Sequence, residues 1–294
     1  MKEWKKVKLG EVCDSIADGD HQAPPKAKRG IPFVTISNID SNNIMDFTNT
    51  MFVTEEYYNK LDEKRKPKRD DVLYSVVGSF GKPVFLKENI KFVFQRHIAI
   101  LRPNKNIINP HFMYYSMLSR DFYHQADAVA LGAAQRTISL TSLRNMEIDL
   151  PPRNIQHSIA TTLSRYDALI ANYHRQIKLL EEAAQRLYKE WFVDLHFPGH
   201  ENVKVIDGVP EGWEKKKIKD VCETIGGGTP STKERSYYEG GNIKWVTPTD
   251  ITRSRSICLL DTEKKITEEG LNHSSAKMLP AGTILMTSRA SVGY

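Results

Sequence analysis

Between Pro151 and about Asp194 the chain carries its longest regular pattern of apolar positions: Ile155, Ile159, Leu163, Tyr166, Ile170, Tyr173, Ile177, Leu180, Ala184, Leu187 and Trp191. From Leu163 onward the steps alternate three and four, a heptad seam that predicts a helix with a left-handed coiled-coil surface. Pro151 and Pro152 stand just outside it, Asn154 is the expected N-cap, and no proline or glycine interrupts the run before Pro198 and Gly199. A helix of about 40 residues is about 60 Å long. Its seam cannot be buried by the helix itself, so a second helix must cover it. A long core helix of one compact domain is the alternative reading; the flanks favour a rod between two domains.

The flanks repeat each other. Trp4 to Cys13, then Ile16, answers Trp213 to Cys222, then Ile225. Phe33-Val34-Thr35 answers Trp245-Val246-Thr247; Val53-Thr54-Glu55-Glu56 answers Ile266-Thr267-Glu268-Glu269. Val72 to Ser75 answers Ile284 to Thr287, and Ser79-Phe80-Gly81 answers Ser291-Val292-Gly293. The offset stays near 210, too long for a solenoid repeat, so a whole domain is duplicated. The second copy runs to Tyr294, opposite Lys82, about half of the first. The expected organisation is a first domain over 1–150, a long helix over 151–200 and an incomplete second domain over 201–294.

Within the first domain, β-branched and apolar runs predict strands at Ile31–Ile36, Asp71–Val77, Val84–Leu86, Phe92–Phe94, Arg96–Leu101 and Asn145–Leu150. Ala17–Gly30 and the glycine-bearing stretch Leu131–Ser139 are loops. Asn109-Pro110 opens one definite helix, with Asn109 as N-cap and Pro110 at its first position. The class is α+β.

Composition narrows the partners. Lys and Arg number 42 against 36 Asp and Glu, a net charge of +6, which suits a polyanion without demanding one. The run Lys60–Arg69 (Lys60, Lys64, Arg65, Lys66, Lys68, Arg69) reads as a solvated helix face or a phosphate contact. Cys13, Cys222 and Cys258 form no disulfide framework, which suits a reduced, cytoplasmic chain. No long apolar run predicts a membrane span or export signal.

Catalytic chemistry is not legible. Gly78–Lys82 lacks the glycine spacing of a Walker loop. Gly226–Ser231 is flexible and rich in N–H groups but has no strand–loop–helix context. Asn109-Pro110-His111-Phe112 lacks the second proline of the Asn-Pro-Pro-Phe box of amino methyltransferases, and helix capping accounts for it. The histidines have no ligand spacing, so no metal site is expected. Cys13 lies in an apolar pattern and is no nucleophile.

Two divergent mixed domains, each opening Trp-x-x-x-x-Ile/Leu-x-Glu/Asp-Val, flank a helix that begins at Leu150-Pro151-Pro152 and ends Tyr188-Lys189-Glu190-Trp191-Phe192-Val193-Asp194. With Gly132, Gln135 and Ile138 ahead of it, this arrangement resembles the specificity subunit of type I restriction–modification enzymes over the whole chain. It departs from the family in lacking a completed second target-recognition domain and a second helix. The resemblance implies a non-catalytic subunit in which each target-recognition domain reads one half of a split site on double-stranded DNA. It further implies that two modification subunits carrying S-adenosylmethionine dock on the helices, and that a restriction subunit supplies ATP- and Mg-dependent translocation and cleavage.

The residues expected to touch DNA are Lys26, Lys28, Arg29, Ser37, Asn38, Ser79, Lys82, Arg96, Gln135 and Arg136. In the second copy they are Thr229, Ser231, Lys233 and Arg289, with Thr249, Asp250 and Ser288. Gln pairs bidentately with adenine and Arg with guanine, but for each residue an ordinary solvated loop position is the competing reading. The seam Leu163, Tyr166, Ile170, Tyr173, Ile177, Leu180, Leu187 and Trp191 is expected to pair with a second chain, antiparallel, as a homodimer. Two rivals remain open: a scaffold that binds modification subunits without reading DNA, and a free-standing enzyme.

Overall fold

The structure, a computed structural model, describes residues 4–20, 24–40, 43–133, 135–254, 256–289 and 291–293. His21, Gln22, Ala23 and Ala134, all in predicted loops, lie outside the described residues. The chain forms two compact units, Met1–Lys189 and Glu190–Tyr294.

In the first unit, strand β1 (Lys5–Lys8), a one-turn helix α1 (Leu9–Val12) and β2 (Cys13–Asp18) are followed by β3 (Ile31–Val34) and β4 (Met51–Val53). Helix α2 (Glu55–Lys60), β5 (Val72–Ser75), β6 (Pro83–Phe85), β7 (Val93–Phe94) and β8 (Ile98–Pro103) come next. Helices α3 (Pro110–Met117), α4 (Arg120–Val129) and α5 (Leu140–Asn145) lead to β9 (Glu147–Leu150) and the long helix α6 (Arg153–Tyr188).

The main sheet is antiparallel in the order β2-β8-β5-β6, and a second sheet has the order β4-β3-β7. Strand alternation explains why β5 and β8 are apolar at nearly every position. Val72, Tyr74, Ala99 and Leu101 face the larger core with α3 and α4, whereas Leu73, Ile98 and Ile100 face a second core with Phe92 and Phe94. A sheet covered on both faces needs an unbroken apolar run instead of polar alternation. β1 pairs with β9, which brings the start of the chain against the residues that precede α6.

Three local expectations are corrected. The segment after Asn109 is two helices: the first ends at Leu118, and Ser119 caps the second by accepting from Phe122 N. Helix α5, capped by Ser139, was not anticipated, because six residues are too few to show periodicity. Asn154 is not the N-cap of α6; Pro152 occupies that position with no side-chain cap, and Asn154 lies within the first turn.

The second unit contains a hairpin of β10 (Val205–Ile206) and β11 (Val209–Pro210), a one-turn helix α7 (Ile218–Val221), β12 (Ile243–Trp245), α8 (Pro248–Arg253), β13 (Lys264–Ile266) and α9 (Glu268–Asn272). It repeats several local features of the first unit. β12 pairs antiparallel with β13 as β3 does with β4. A capping box formed by Thr35 and Asn38 recurs in Thr247 and Asp250. Thr54 caps α2 through Tyr57 N, and Thr267 caps α9 through Gly270 N. Ser75 Oγ donates to the Ser79 carbonyl, and Thr287 Oγ1 to that of Ser291. Ile284–Thr287, the counterpart of β5, is not a strand, and Ile284 is 93% exposed. β5 is buried because β6 and β8 flank it; no such strands flank its counterpart among the described residues. Cys222 is exposed for the same reason, whereas Cys13 is half-buried.

Candidate nucleic-acid interface

Four of the expected DNA residues converge. The loop after β5 and the stretch before α5 are tied by bridges between Val77 and Thr137 and between Leu131 and Thr137. Gly78 N donates to the Arg136 carbonyl at 3.0 Å. This places Ser79, Lys82, Gln135 and Arg136 in one loop pair. Gly81 (φ +89°) is required: a Cβ there would meet the Tyr123 ring at 2.8 Å. Arg136 is a strut within the pair. Its Nη1 donates to Asp127 Oδ1 at 2.5 Å, and its guanidinium lies 5.1 Å from the Phe80 ring, which stacks on Tyr123. Ser79 and Gln135 are exposed beside it and free to meet a ligand, while Lys82 is half-buried with its N–H donated to Ser75 Oγ.

The remaining first-copy residues divide. Lys26, Lys28 and Arg29 are exposed on a segment held along the edge of β4 by Ala27 N donating to the Phe52 carbonyl. Arg96 is exposed on the turn between β7 and β8; burial and then Arg96 hold the neighbouring His97 below its ordinary pKa. Ser37 is exposed and hydrogen-bonded to Thr35 Oγ1. Asn38 is buried: its Oδ1 accepts from Thr35 N and its Nδ2 donates to the Asp46 carbonyl, so its amide is consumed by the turn.

The basic run is not a helix face, since only Lys60 lies on α2. Five of its six cations lie beside carboxylates. Lys60 pairs with Glu56, Arg65 with Asp18 and Asp20, Lys66 and Lys68 with Glu63, and Arg69 with Asp70. The hydrogen bonds from Lys66 and Lys68 hold the Glu63 carboxyl below its usual range. Arg102, which the sequence did not single out, fastens this loop to the sheet: it donates to both oxygens of Asp71 (3.0 and 2.8 Å) and to the Glu63 and Lys66 carbonyls.

In the second copy Thr229, Ser231, Lys233, Thr249, Ser288 and Arg289 are exposed. Asp250 serves the capping box, as Asn38 does. Gly226–Ser231 is not a free loop: Trp245 Nε1 donates to the Gly228 carbonyl and the Tyr238 hydroxyl to that of Pro230.

Helix α6 has two different parts. Near its start Ile159 and Ala160 join the larger core and Gln156 is buried. From Leu163 onward the seam lies open: Tyr166, Ile170, Tyr173, Ile177 and Leu180 are all more than half exposed, with Leu163 and Leu187 exposed as well. A π-helical turn, Lys189–Val193, follows and contains Trp191, which is half-buried. Anchors from the domain body end at Asp167, whose Oδ2 accepts from the Tyr115 hydroxyl at 2.7 Å. Burial and this bond raise the Tyr115 pKa.

Burial, Asp14 and Asp71 push the Cys13 thiol up to about 12. Among the described residues no cluster of His, Cys, Asp or Glu is arranged to hold a metal, and no helix is long and apolar enough to cross a membrane.

The model of the type I restriction modification DNA specificity domain matches residues 1–182, the first copy with most of the long helix, and 210–294, the second copy. The chain belongs to this family. Among specificity-domain relatives, the type I restriction enzyme MjaIX specificity subunit of Methanocaldococcus jannaschii is 46% identical over 89 residues, 30% of this chain and 20% of that protein. The HindI specificity subunit of Haemophilus influenzae is 23% identical over 100% of this chain and 75% of its own length. A crystal structure of a type I restriction–modification S subunit from M. genitalium aligns with a TM-score of 0.48 at 18% identity, over 65% of this chain and 46% of that one. The chain thus spans a fifth of the MjaIX subunit and under half of the M. genitalium chain.

Proposed function

We infer that this specificity-domain protein acts as the DNA-reading subunit of a type I restriction–modification enzyme. The observation that carries the reading is the match of the specificity-domain model to two stretches, the first of which runs through most of a long helix with an open heptad seam. Each copy reads one half of a split site in double-stranded DNA. Base edges are reached by exposed loop side chains such as Gln135, Ser79, Lys28, Arg29 and Arg96, and in the second copy Thr229, Ser231, Lys233 and Arg289. Phosphate contacts supply register, and base contacts supply specificity. The subunit has no catalytic role. Two modification subunits bring S-adenosylmethionine and methylate adenine, and a restriction subunit brings ATP and Mg; the assembly works in the cytoplasm.

The open seam favours a second copy of the chain as its cover. Two antiparallel rods bury each other's apolar stripe and place the readers about a two-fold axis, which selects a palindromic split site. The test combines the chain with its genomically adjacent modification subunit and labelled S-adenosylmethionine, then maps methyl-adenine across genomic DNA. Methylation at a split motif is expected, palindromic if the rods pair. A stable complex that methylates nothing, or a monomer by light scattering at micromolar concentration, would overturn the reader or the dimer respectively.

A further inference from the structure

The joint between the reading domain and the rod is built from a few polar side chains, and they converge on one short helix. Gln156, at the end of the first turn of α6, is 1% exposed. Its Oε1 accepts from Asn109 N at 2.8 Å, and its Nε2 donates to the Pro151 carbonyl at 2.9 Å and to the Ile107 carbonyl at 3.4 Å. One buried amide therefore ties the rod to the residues that open α3. Asn109 is also the N-cap of α3, accepting from Phe112 N. Six residues further on, α3 supplies the Tyr115 hydroxyl that donates to Asp167. Arg153 Nη2 adds a bond to the Lys105 carbonyl.

Gln156 and Asp167 are about 16 Å apart along the helix axis. Two anchors on one rod fix a direction, where one anchor leaves a pivot. The hydrophobic contacts of Ile159 and Ala160 between them set the distance of approach and bias the crossing angle with wide scatter, and the two polar anchors narrow it.

We propose that Gln156 and the Tyr115–Asp167 pair are positioning residues that set the spacing between the two half-sites by locking the angle at which the rod leaves the reading domain. This rests on the specificity-subunit reading above. A spacer one base pair longer or shorter moves a half-site by about 3.4 Å and turns it by about 34°. A reader about 30 Å across meets the shift with a tilt of about 0.1 radian and the turn with a further rotation of about 0.6 radian, both of which the joint must yield. A buried amide whose carbonyl and both N–H groups are hydrogen-bonded adds resistance to that movement beyond what apolar packing alone supplies.

The test has two arms. In the first, wild type, Gln156→Ala and Tyr115→Phe are each combined with the modification subunit, and the methylated sites are mapped. The half-site sequences stay the same in the variants, while methylation at spacers one base pair off rises at least about tenfold relative to wild type. Variants that remain folded and methylate only at the wild-type spacer overturn the proposal. Tyr115→Phe removes one oxygen and keeps the ring, so it serves if Gln156→Ala does not fold.

The second arm needs no DNA. Spin labels at Lys87→Cys and Lys178→Cys, in a background carrying Cys222→Ser and Cys258→Ser, report the reader-to-rod distance. A broader distribution in Gln156→Ala supports the lock, and an unchanged one overturns it. If the wild-type protein methylates no split site, the specificity-subunit reading falls and the spacer role with it; the label distances still decide whether Gln156 fixes the joint.

Discussion

Arg102 donates to both oxygens of Asp71 and to two carbonyls of the loop before β5, and Asp71 is 2% exposed. Removing the guanidinium leaves a buried carboxylate without its partner, a change that costs about 3 kcal/mol. Arg102→Ala is therefore expected to lower the urea midpoint of the first unit by that equivalent. Cys13 makes a pH-dependent prediction. Its thiol is pushed up to about 12 in the folded chain from an ordinary value of 9.0. The unfolded chain therefore loses its proton first, and the contribution to stability falls as pH rises through 9 toward 12. At pH 8 a thiol reagent is expected to modify Cys222 and Cys258 quickly and Cys13 only on unfolding; fast reaction of all three would contradict its burial. Gln135 and Arg136 separate reading from support. Gln135→Ala should leave the melting temperature unchanged and weaken DNA binding, by about 1–3 kcal/mol if it meets a base. Arg136→Ala should loosen the loop pair itself, visible as faster hydrogen exchange around Gly78.

Helix α6 was legible because 36 residues give a period room to repeat. Strands β5 and β8 were legible because burial on both faces leaves unbroken apolar runs. What sequence could not show follows from the same physics. Helix α5 is too short for periodicity, and Asn38 and Asp250 look like solvated polar residues although both are consumed by turns. The basic run reads as uniformly cationic until its carboxylate partners, some distant in sequence, are placed beside it. Gln156 sits next to the seam residue Ile155, so a pattern of apolar positions passes over it; its spacing of four from the buried Ala160 is the one signal that it shares the inward face. For the outward face, Ile170→Lys with Ile177→Lys should abolish self-association in sedimentation and leave the first unit's melting temperature unchanged, because both side chains are already solvated there.

The whole molecule is uneven. The first unit has two cores on either side of a four-stranded sheet, whereas in the second Ile218, Val221, Ile284, Met286 and Val292 are each at least 65% exposed. Apolar surface on that scale marks either a site to be covered or a liability. Native-state trypsin is expected to cut within 215–290 well before the body of the first unit, read by mass spectrometry. Binding of the modification subunit or of a second chain that protects 215–290 would identify what covers it. The duplication was readable from aligned residues alone, but the unpaired state of the second copy was not, because residue matches say nothing about which strands flank a given stretch.

The two copies share their scaffolding at the level of single hydrogen bonds: a threonine capping box, a threonine helix cap, and a hydroxyl that closes a loop onto a main-chain carbonyl. These bonds go to the backbone, so they are indifferent to the side chains carried at the loop tips. Lys28, Arg29 and Gln135 in one copy and Thr229, Ser231 and Lys233 in the other can differ without disturbing the frame that presents them. Loop-tip side chains exchanged from one copy to the other are expected to leave the melting temperature of the frame unchanged, so variation at the tips is separable from the stability of the fold.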